Sequence, residues 1–145
     1  MPAKRAKGPQ LPAYVLDTSA VLTFFEGEPG VTVVKDLLRR ARRGEARVLV
    51  SLMTTYELLY ITTQERSEEE GLRRVLELRA LPFEEAPLGP TVAIRAANLK
   101  ARYTLSVADS WIAATAIEER AILVHKDPEF RPLERVVVLE ALPFK

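Results

Sequence analysis

Short apolar runs alternate along this chain with longer segments whose apolar residues recur at helical spacing. The runs at 14–16, 121–124 and 136–139 are continuous, as in strands that are covered on both faces. The segment 31–43 instead repeats apolar residues every three or four positions and is basic on its other side. Strands that alternate with helices predict an α/β fold around a parallel sheet.

Residues that begin or end helices mark the boundaries of these elements. Ser51 and Ser67 are suited to cap helices, Pro82 ends one helix and Pro90 opens the next. We expect helices at about 19–25, 31–43, 52–64, 68–81, 90–103 and 107–120, and strands at 14–16, 47–50, 83–86, 121–124 and 136–139.

Length and composition limit the class of protein. The chain has 145 residues, 48% of them hydrophobic, so residues 13–145 fit one domain after a flexible basic lead-in at 1–12. It has no Cys, which excludes disulfides, thiolate catalysis and cysteine-ligated zinc. No apolar stretch approaches the roughly 20 residues that span a bilayer, and no signal peptide is evident. A cytoplasmic protein without membrane contact is expected.

Four acidic residues stand where an apolar strand ends or an apolar-faced helix begins. They are Asp17, Glu57, Asp109 and Asp127. A buried carboxylate is costly unless its charge is compensated, and the compensator that would draw four of them together is a hard divalent cation. The pattern therefore predicts a metal-dependent hydrolase.

Three of these acids also have ordinary structural explanations. Asp17 is suited to cap the helix that follows it, Asp109 fits a capping box that begins at Ser106, and Asp127 precedes a proline in a turn. Glu57 is harder to explain in this way, because it lies inside the apolar arc of its helix, where solvated glutamates are rare. We expect all four carboxylates to converge at the carboxyl end of the sheet.

The other polar residues near these acids are assigned more ordinary roles. His125, the single histidine, stands at a strand end and is interpreted as a packed neutral imidazole rather than a general base. Lys126 is either a phosphate contact or a solvated side chain. Glu26, Glu28 and Glu129 are assigned to the surface.

The four acids lie in segments that resemble the motifs of PIN domains. The first is an apolar strand with Asp-Thr-Ser-Ala (15–20), and the second is a Ser-started helix with Glu-Leu (51–58). The third, Leu-Ser-x-x-Asp-x-x-Ile-Ala-Ala-Thr-Ala (105–116), is the most specific. The fourth (124–130) has His125 in place of the usual hydroxyl residue and Glu129 in place of a second Asp. From Tyr14 on, the chain is similar to PIN domains, and more narrowly to the toxin ribonucleases of VapBC toxin–antitoxin systems.

This resemblance implies a three-layer α/β/α sandwich, Mg²⁺ or Mn²⁺ as the metal, RNA as the substrate and a cognate antitoxin that wraps the toxin. Homodimers are common in the family. On this interpretation Asp17 and Asp109 hold the first ion, while Glu57 and Asp127 complete the acidic pocket. The expected reaction is metal-assisted hydrolysis of RNA phosphodiester bonds.

Two alternatives remain open: a PIN-like RNA or protein interaction module without turnover, and a housekeeping RNA-processing nuclease. Two other α/β modules fit less well. A phosphate-accepting receiver domain needs an acidic pair near the end of its first strand and a Lys after its last strand. A HAD-type phosphatase needs a second Asp where this chain has Ser19.

The first two predicted helices carry more apolar residues than one side of a small sheet needs. These residues are Val21, Leu22, Phe24, Phe25, Val33, Val34, Leu37 and Leu38. Some are expected to stay exposed and to form a partner groove or dimer contact beside the basic cluster at 39–43. The alternative is that both helices belong to the core and that the basic cluster is a solvated face.

Overall fold

The computed structural model describes residues 10–143, so most of the expected lead-in lies outside the described residues. In chain order the elements are β1 (Ala13–Leu16), α1 (Thr18–Glu26), α2 (Val31–Arg42), β2 (Arg47–Ser51), α3 (Leu52–Glu65), α4 (Glu68–Arg79), β3 (Glu84–Ala86), α5 (Pro90–Arg102), α6 (Val107–Glu118), β4 (Ile122–His125), a 3-10 helix (Pro128–Leu133) and β5 (Leu139–Ala141). The five strands form one parallel sheet in the order β3-β2-β1-β4-β5. Within residues 10–143, no helix is both long and apolar enough to cross a membrane.

Alternate residues of the central strands face opposite sides of the sheet and build two separate cores. Val15 and Leu123 belong to one core, in which they are joined by residues of α5 and α6. Their neighbours Leu16 and Val124 belong to the other core, together with residues of α1, α2, α3 and α4. Helices thus cover both faces of the sheet, and the predicted three-layer α/β/α sandwich is confirmed.

The central position of β1 brings distant parts of the sequence to one edge of the sheet. Leu16, its last residue, pairs with Val50 of β2 on one side and with Val124 of β4 on the other. The next backbone amide, that of Asp17, donates to the Val124 carbonyl at 3.0 Å. Because parallel strands end at the same edge, the segments that follow β1, β2 and β4 lie side by side.

The helix starts follow the capping residues that the sequence offers. The side chains of Ser51, Ser67 and Ser106 each accept a hydrogen bond from a backbone amide in the first turn of α3, α4 and α6. Asp17 caps α1 in the same way, and α1 ends at Gly27, whose φ of 63° is in the left-handed region. Most element boundaries therefore fall within two residues of those predicted.

The last strand lies further along the chain than the apolar run at 136–139 predicts. Val136 and Val137 both donate to the carbonyl of Leu133, so the run begins in a turn that closes the 3-10 helix. β5 shares only Leu139 with the predicted strand. Val136 and Val138, which precede β5, remain exposed, whereas Val137 between them is buried. The prediction of a strand covered on both faces is wrong here.

Most of the apolar surplus on α1 and α2 belongs to the core. Val21, Val34, Leu37 and Leu38 are buried. The other four residues, Leu22, Phe24, Phe25 and Val33, are half-buried against the same core cluster. Of these eight side chains, the four half-buried ones are therefore those that can still contribute accessible surface to the expected groove.

Replacement of Leu123 by Ala tests the core on the α5 and α6 side of the sheet. The side chain is fully buried, so Leu123→Ala should lower the free energy of unfolding by about 2–5 kcal/mol through lost burial and a residual cavity. Ile94→Ala, at a residue that is 72% exposed, is the matched control and should change it by less than about 0.5 kcal/mol. Urea denaturation measures both, and equal effects would contradict this packing.

Candidate active site

Asp17 is held in a buried position at the carboxyl end of β1. It is 3% exposed, and its carboxylate accepts hydrogen bonds from the Ser19 hydroxyl at 2.7 and 2.9 Å and from the Ala20 amide at 2.8 Å. The Ser19 hydroxyl in turn accepts from the backbone amide of Lys126 at 2.9 Å. Ser19 therefore links the orientation of the Asp17 carboxylate to the segment that follows β4.

Glu57 reaches the same region from α3. Its Oε1 accepts a hydrogen bond from the Thr18 hydroxyl at 2.6 Å, and that hydroxyl also lies 3.3 Å from the hydroxyl of Thr54. The side chain is half-buried, which agrees with its predicted place inside the apolar arc. Thr18 and Ser19, adjacent in the first turn of α1, thus orient two different carboxylates.

Asp109, Asp127 and Glu129 form the tightest acidic group among the described residues. Carboxylate oxygens of all three lie within 4.8 Å of one another. Asp109 and Asp127 are half-buried, whereas Glu129 is exposed. The assignment of Glu129 to the surface is correct for its exposure but missed its place in this group.

The local fold explains why Glu129 joins the acids. Asp127 caps the 3-10 helix by accepting a hydrogen bond from the Glu129 amide at 2.9 Å, which sets the two carboxylates on one tight turn. The available signal in the sequence was the fourth motif, in which Glu129 stands where PIN domains have their second Asp.

The charges of these acids act on one another. Burial raises the pKa of Asp17 to about 7, hydrogen bonds from Ser19 and Ala20 oppose that rise, and the charges of Asp109 and Asp127 add to it. Burial also raises the pKa of Asp109 to about 7, and the charges of Asp127, Glu57 and Glu129 contribute. The structure thus brings all four predicted carboxylates, together with that of Glu129, into one interacting group.

The donor set fits a hard divalent cation. Carboxylate oxygens are the ligands that Mg²⁺ and Mn²⁺ prefer, and a dication would offset the burial of charge and the repulsion that together raise the pKa of Asp17 and Asp109. The closest oxygens belong to Asp109, Asp127 and Glu129, rather than to the pair Asp17 and Asp109 named from the sequence. Asp109 is common to both sets.

The side chains of His125 and Lys126 are buried, and they contact Phe130 and Glu28, respectively. The His125 ring is buried with its edge against Phe130, burial lowers its pKa, and its Nδ1 has no hydrogen-bond partner among the described residues. This agrees with a packed neutral imidazole. Lys126 is buried too, and its ammonium lies 3.4 Å from the carboxylate of half-buried Glu28. Lys126 is therefore not the solvated side chain considered from the sequence, and Glu28 is not a surface residue.

Comparison with known proteins adds a family match to this geometry. Residues 14–136 match the family model of the PIN domain. No curated protein matches the chain. Among solved structures, a VapBC2 complex from Rickettsia felis bound to a promoter DNA fragment is similar over 90% of this chain and 99% of that chain, with 18% identity and a TM-score of 0.73.

Two further solved structures share this architecture. A DNA-bound VapBC from Salmonella typhimurium is similar over 91% of this chain and 98% of that chain, at 20% identity and a TM-score of 0.70. VapC20 of Mycobacterium tuberculosis, a toxin that cleaves the sarcin-ricin loop, is similar over 76% of this chain and 86% of that chain, at 11% identity and a TM-score of 0.60. At these identities the likeness shows a shared fold.

The raised pKa values predict that the metal-free protein loses stability as the pH rises from about 4 to about 7. Asp17 and Asp109 ionise near pH 4 when the chain is unfolded but near pH 7 when it is folded, so the folded state binds more protons across this interval. Denaturation in urea with EDTA at several pH values measures the effect. Stability that stays constant or rises over this interval would contradict it.

Replacement of Asp17 by Asn should reduce that loss. The amide oxygen can still accept from Ser19 and Ala20, but no charge is buried, so the free energy of unfolding at pH 8 should increase by about 1–4 kcal/mol. Asp36→Asn, on the exposed side of α2, is the matched control and should leave the pH profile unchanged. An identical pH profile for Asp17→Asn and the wild type would contradict the assignment.

Proposed function

Since this chain belongs to the PIN domain family, we propose that it is a Mg²⁺- or Mn²⁺-dependent ribonuclease, the toxin of a toxin–antitoxin pair. The observation that carries the proposal is the convergence of five interacting carboxylates at the carboxyl edge of a parallel sheet. Structural similarity to VapBC complexes and to an RNA-cleaving toxin supports the choice of substrate and partner.

In this proposal, Asp17 and Asp109 hold the first ion, and Glu57 and Asp127 complete the pocket. Glu129 is added to the second group because its carboxylate lies with those of Asp109 and Asp127. An ion held there would supply positive charge for the phosphate and would polarise a bound water that can attack it. Four or five carboxylates without an ion would repel a polyanion, so RNA binding and ion binding should be linked.

Residues around the carboxylates contribute orientation. The Ser19 hydroxyl contacts both oxygens of Asp17, and the Thr18 hydroxyl donates to Glu57 and so ties its carboxylate to α1. Because Asp17 and Asp109 are partly protonated near pH 7, an ion must displace protons to bind. The affinity for the ion should therefore increase with pH through this range.

The antitoxin is proposed to dock on the opening that remains between α1, α2 and the end of α4. Phe24, Leu38, Leu81 and Pro82 supply an apolar floor there, and the cations at its edge are Lys35, Arg39 and Arg42. This mixture suits a protein segment that carries apolar and acidic residues. A housekeeping nuclease would have no such partner, so a stable complex with the product of the adjacent gene would favour the toxin.

Neutralising one proposed ligand should abolish activity. Asp17→Asn or Asp109→Asn should lower the rate of RNA cleavage in Mg²⁺ or Mn²⁺ by on the order of 100-fold or more, because each change removes charge that holds the ion. Initial rates on single-stranded RNA measure this, with EDTA as the metal-free reference. Asp36→Asn, an exposed acid on α2, serves as the control.

Thermal melts followed by circular dichroism establish that the inactive variants are folded. Either variant cutting RNA at the wild-type rate would refute the proposed ligand role. Cleavage that persists in EDTA would refute metal dependence itself. A folded wild-type protein that binds RNA without cutting it would instead favour the interaction module.

A further inference from the structure

Several exposed cations lie on the side of the molecule formed by α5 and the 3-10 helix. Lys100 and Arg102 belong to the last turn of α5, and Arg131 and Arg135 lie in and just after the 3-10 helix. Within residues 10–143 none of these four forms an ion pair with a carboxylate. Cations that the fold leaves without a partner make the surface around them attractive to anions.

A groove opens between α5 and the segment that follows the 3-10 helix, and we refer to it as the α5 groove. It has a volume of about 350 Å³, and no acid is found among the described residues that line it. Its polar and aromatic lining residues are Arg95, Asn98, Arg102 and Tyr103, and its aliphatic ones are Leu99, Ile117 and Val136. The Arg95 guanidinium already donates to Glu118 at 2.9 Å, so Arg102 is the cation available to a ligand.

Both walls of the α5 groove are joined by short segments of chain to the acidic pocket. On one wall Tyr103 ends α5, and the next helix, α6, carries Asp109 in its first turn. On the other wall the 3-10 helix begins at Asp127 and ends at Leu133, whose carbonyl accepts from the Val136 amide at 2.8 Å. Two separate segments therefore place the groove and the acids within a few residues of each other.

The α5 groove has the length and the chemical groups to bind a short stretch of single-stranded RNA. Arg95 and Arg102 are seven residues apart, or about 10 Å along the helix axis, which corresponds to about three nucleotides at about 3.4 Å each. A single strand exposes its bases, so the Asn98 amide can contact a base edge and the Tyr103 ring a base face.

We propose that the α5 groove binds the RNA strand next to the bond that is cleaved at the acidic pocket. Arg102 and Arg131 contact its phosphates, and Tyr103 stacks on a base. This inference rests on the proposed ribonuclease function and adds a binding surface outside the acidic pocket. The acids attract a polyanion only through a bound ion, whereas these arginines attract the strand directly. Contacts of this kind to the non-reacting part of the strand hold the reacting part in place.

The lining of the α5 groove suits RNA better than it suits a protein segment. An acidic segment could pair with Arg102, but the opening beside α2 offers it three cations, Lys35, Arg39 and Arg42. The α5 groove instead combines one available cation with an amide and an aromatic ring. A strand that is bound at the acids must also continue over a neighbouring surface, which is not required of a separate protein segment.

Fluorescence anisotropy of the full chain with a labelled single-stranded RNA tests the proposal. Ca²⁺ replaces Mg²⁺ in the buffer, because it also takes carboxylate ligands and so offsets the charge of the acids. Arg102→Gln and Arg131→Gln should each weaken binding about five- to tenfold. Each should also reduce the steepness of log affinity against log salt by about 0.7, since one phosphate contact is lost. Arg43→Gln, at an exposed arginine beside the end of α2, is the matched control and should leave both values at those of the wild type.

Replacement of Tyr103 separates stacking from charge. Tyr103→Leu keeps an apolar side chain against the core but removes the aromatic face, so affinity should fall about fivefold or more at an unchanged salt dependence. Tyr103→Phe retains the ring and should bind RNA as the wild type does. Thermal melts verify that each variant is folded, and the exposed arginines give the decisive result if Tyr103→Leu is not.

Equal affinity of Arg102→Gln, Arg43→Gln and the wild type, or an unchanged salt dependence in Arg102→Gln, would overturn the proposal. So would a wild type that does not bind RNA. If Arg102→Gln weakens binding of the adjacent gene's protein product and not of RNA, the α5 groove belongs to a protein partner and the proposal is wrong.

Cleavage assays in Mg²⁺ distinguish this proposal from that of the ribonuclease itself. Arg102→Gln should raise KM about five- to tenfold and leave kcat unchanged, because the lost contact is made equally before and during the reaction. Cleavage with an unchanged KM would remove the α5 groove and retain the ribonuclease. A folded wild type that binds RNA through Arg102 but cuts none would retain the groove and refute the ribonuclease.

Discussion

The buried carboxylate of Asp17 is the constraint on which the candidate site depends. This carboxylate is 3% exposed, and burial, with a smaller contribution from the charges of Asp109 and Asp127, raises its pKa to about 7, so its charged form destabilises the fold. The Ser19 hydroxyl, whose one hydrogen is shared between both carboxylate oxygens, and the Ala20 amide hold it in place. Burial of this charge lowers the stability of the fold. A bound cation relieves that loss, and so does protonation of the carboxylate when no cation is bound.

The parallel sheet is what makes such a group possible in a chain of this size. β1 lies between β2 and β4, so residues that follow three strands meet at one edge although about a hundred positions separate Asp17 from Asp127. Helix N-termini lie at that same edge, where backbone amides are free to bind the capping carboxylates of Asp17 and Asp127. One topology therefore supplies both the acids and part of their support.

Features that depend on local hydrophobic periodicity, or on where a strand ends, were predicted correctly from the sequence. Continuous apolar runs predicted β1 and β4, and the position of Glu57 within an apolar arc indicated that it points inward. Prediction from the sequence failed where the environment of a residue depends on the tertiary structure. The run at 136–139 cannot show that its strand lies at an edge, and nothing local shows that the turn at Asp127 brings Glu129 back to the acids. The charge pairing of Lys126 with Glu28, 98 residues apart, is likewise set by the fold alone.

Helix α1 connects these features physically. Its first turn carries Thr18 and Ser19, which orient Glu57 and Asp17, and its other end carries Phe24, which lines the opening beside α2. Phe24 follows Ser19 by five residues, about 8 Å along the helix axis, so one short helix carries both the groups that orient the carboxylates and part of the wall of the opening. Glu57 also lines a groove between α3 and α4, together with Tyr56 and Tyr60. The acidic pocket is therefore connected to the opening beside α2 through α1 and to this groove through Glu57.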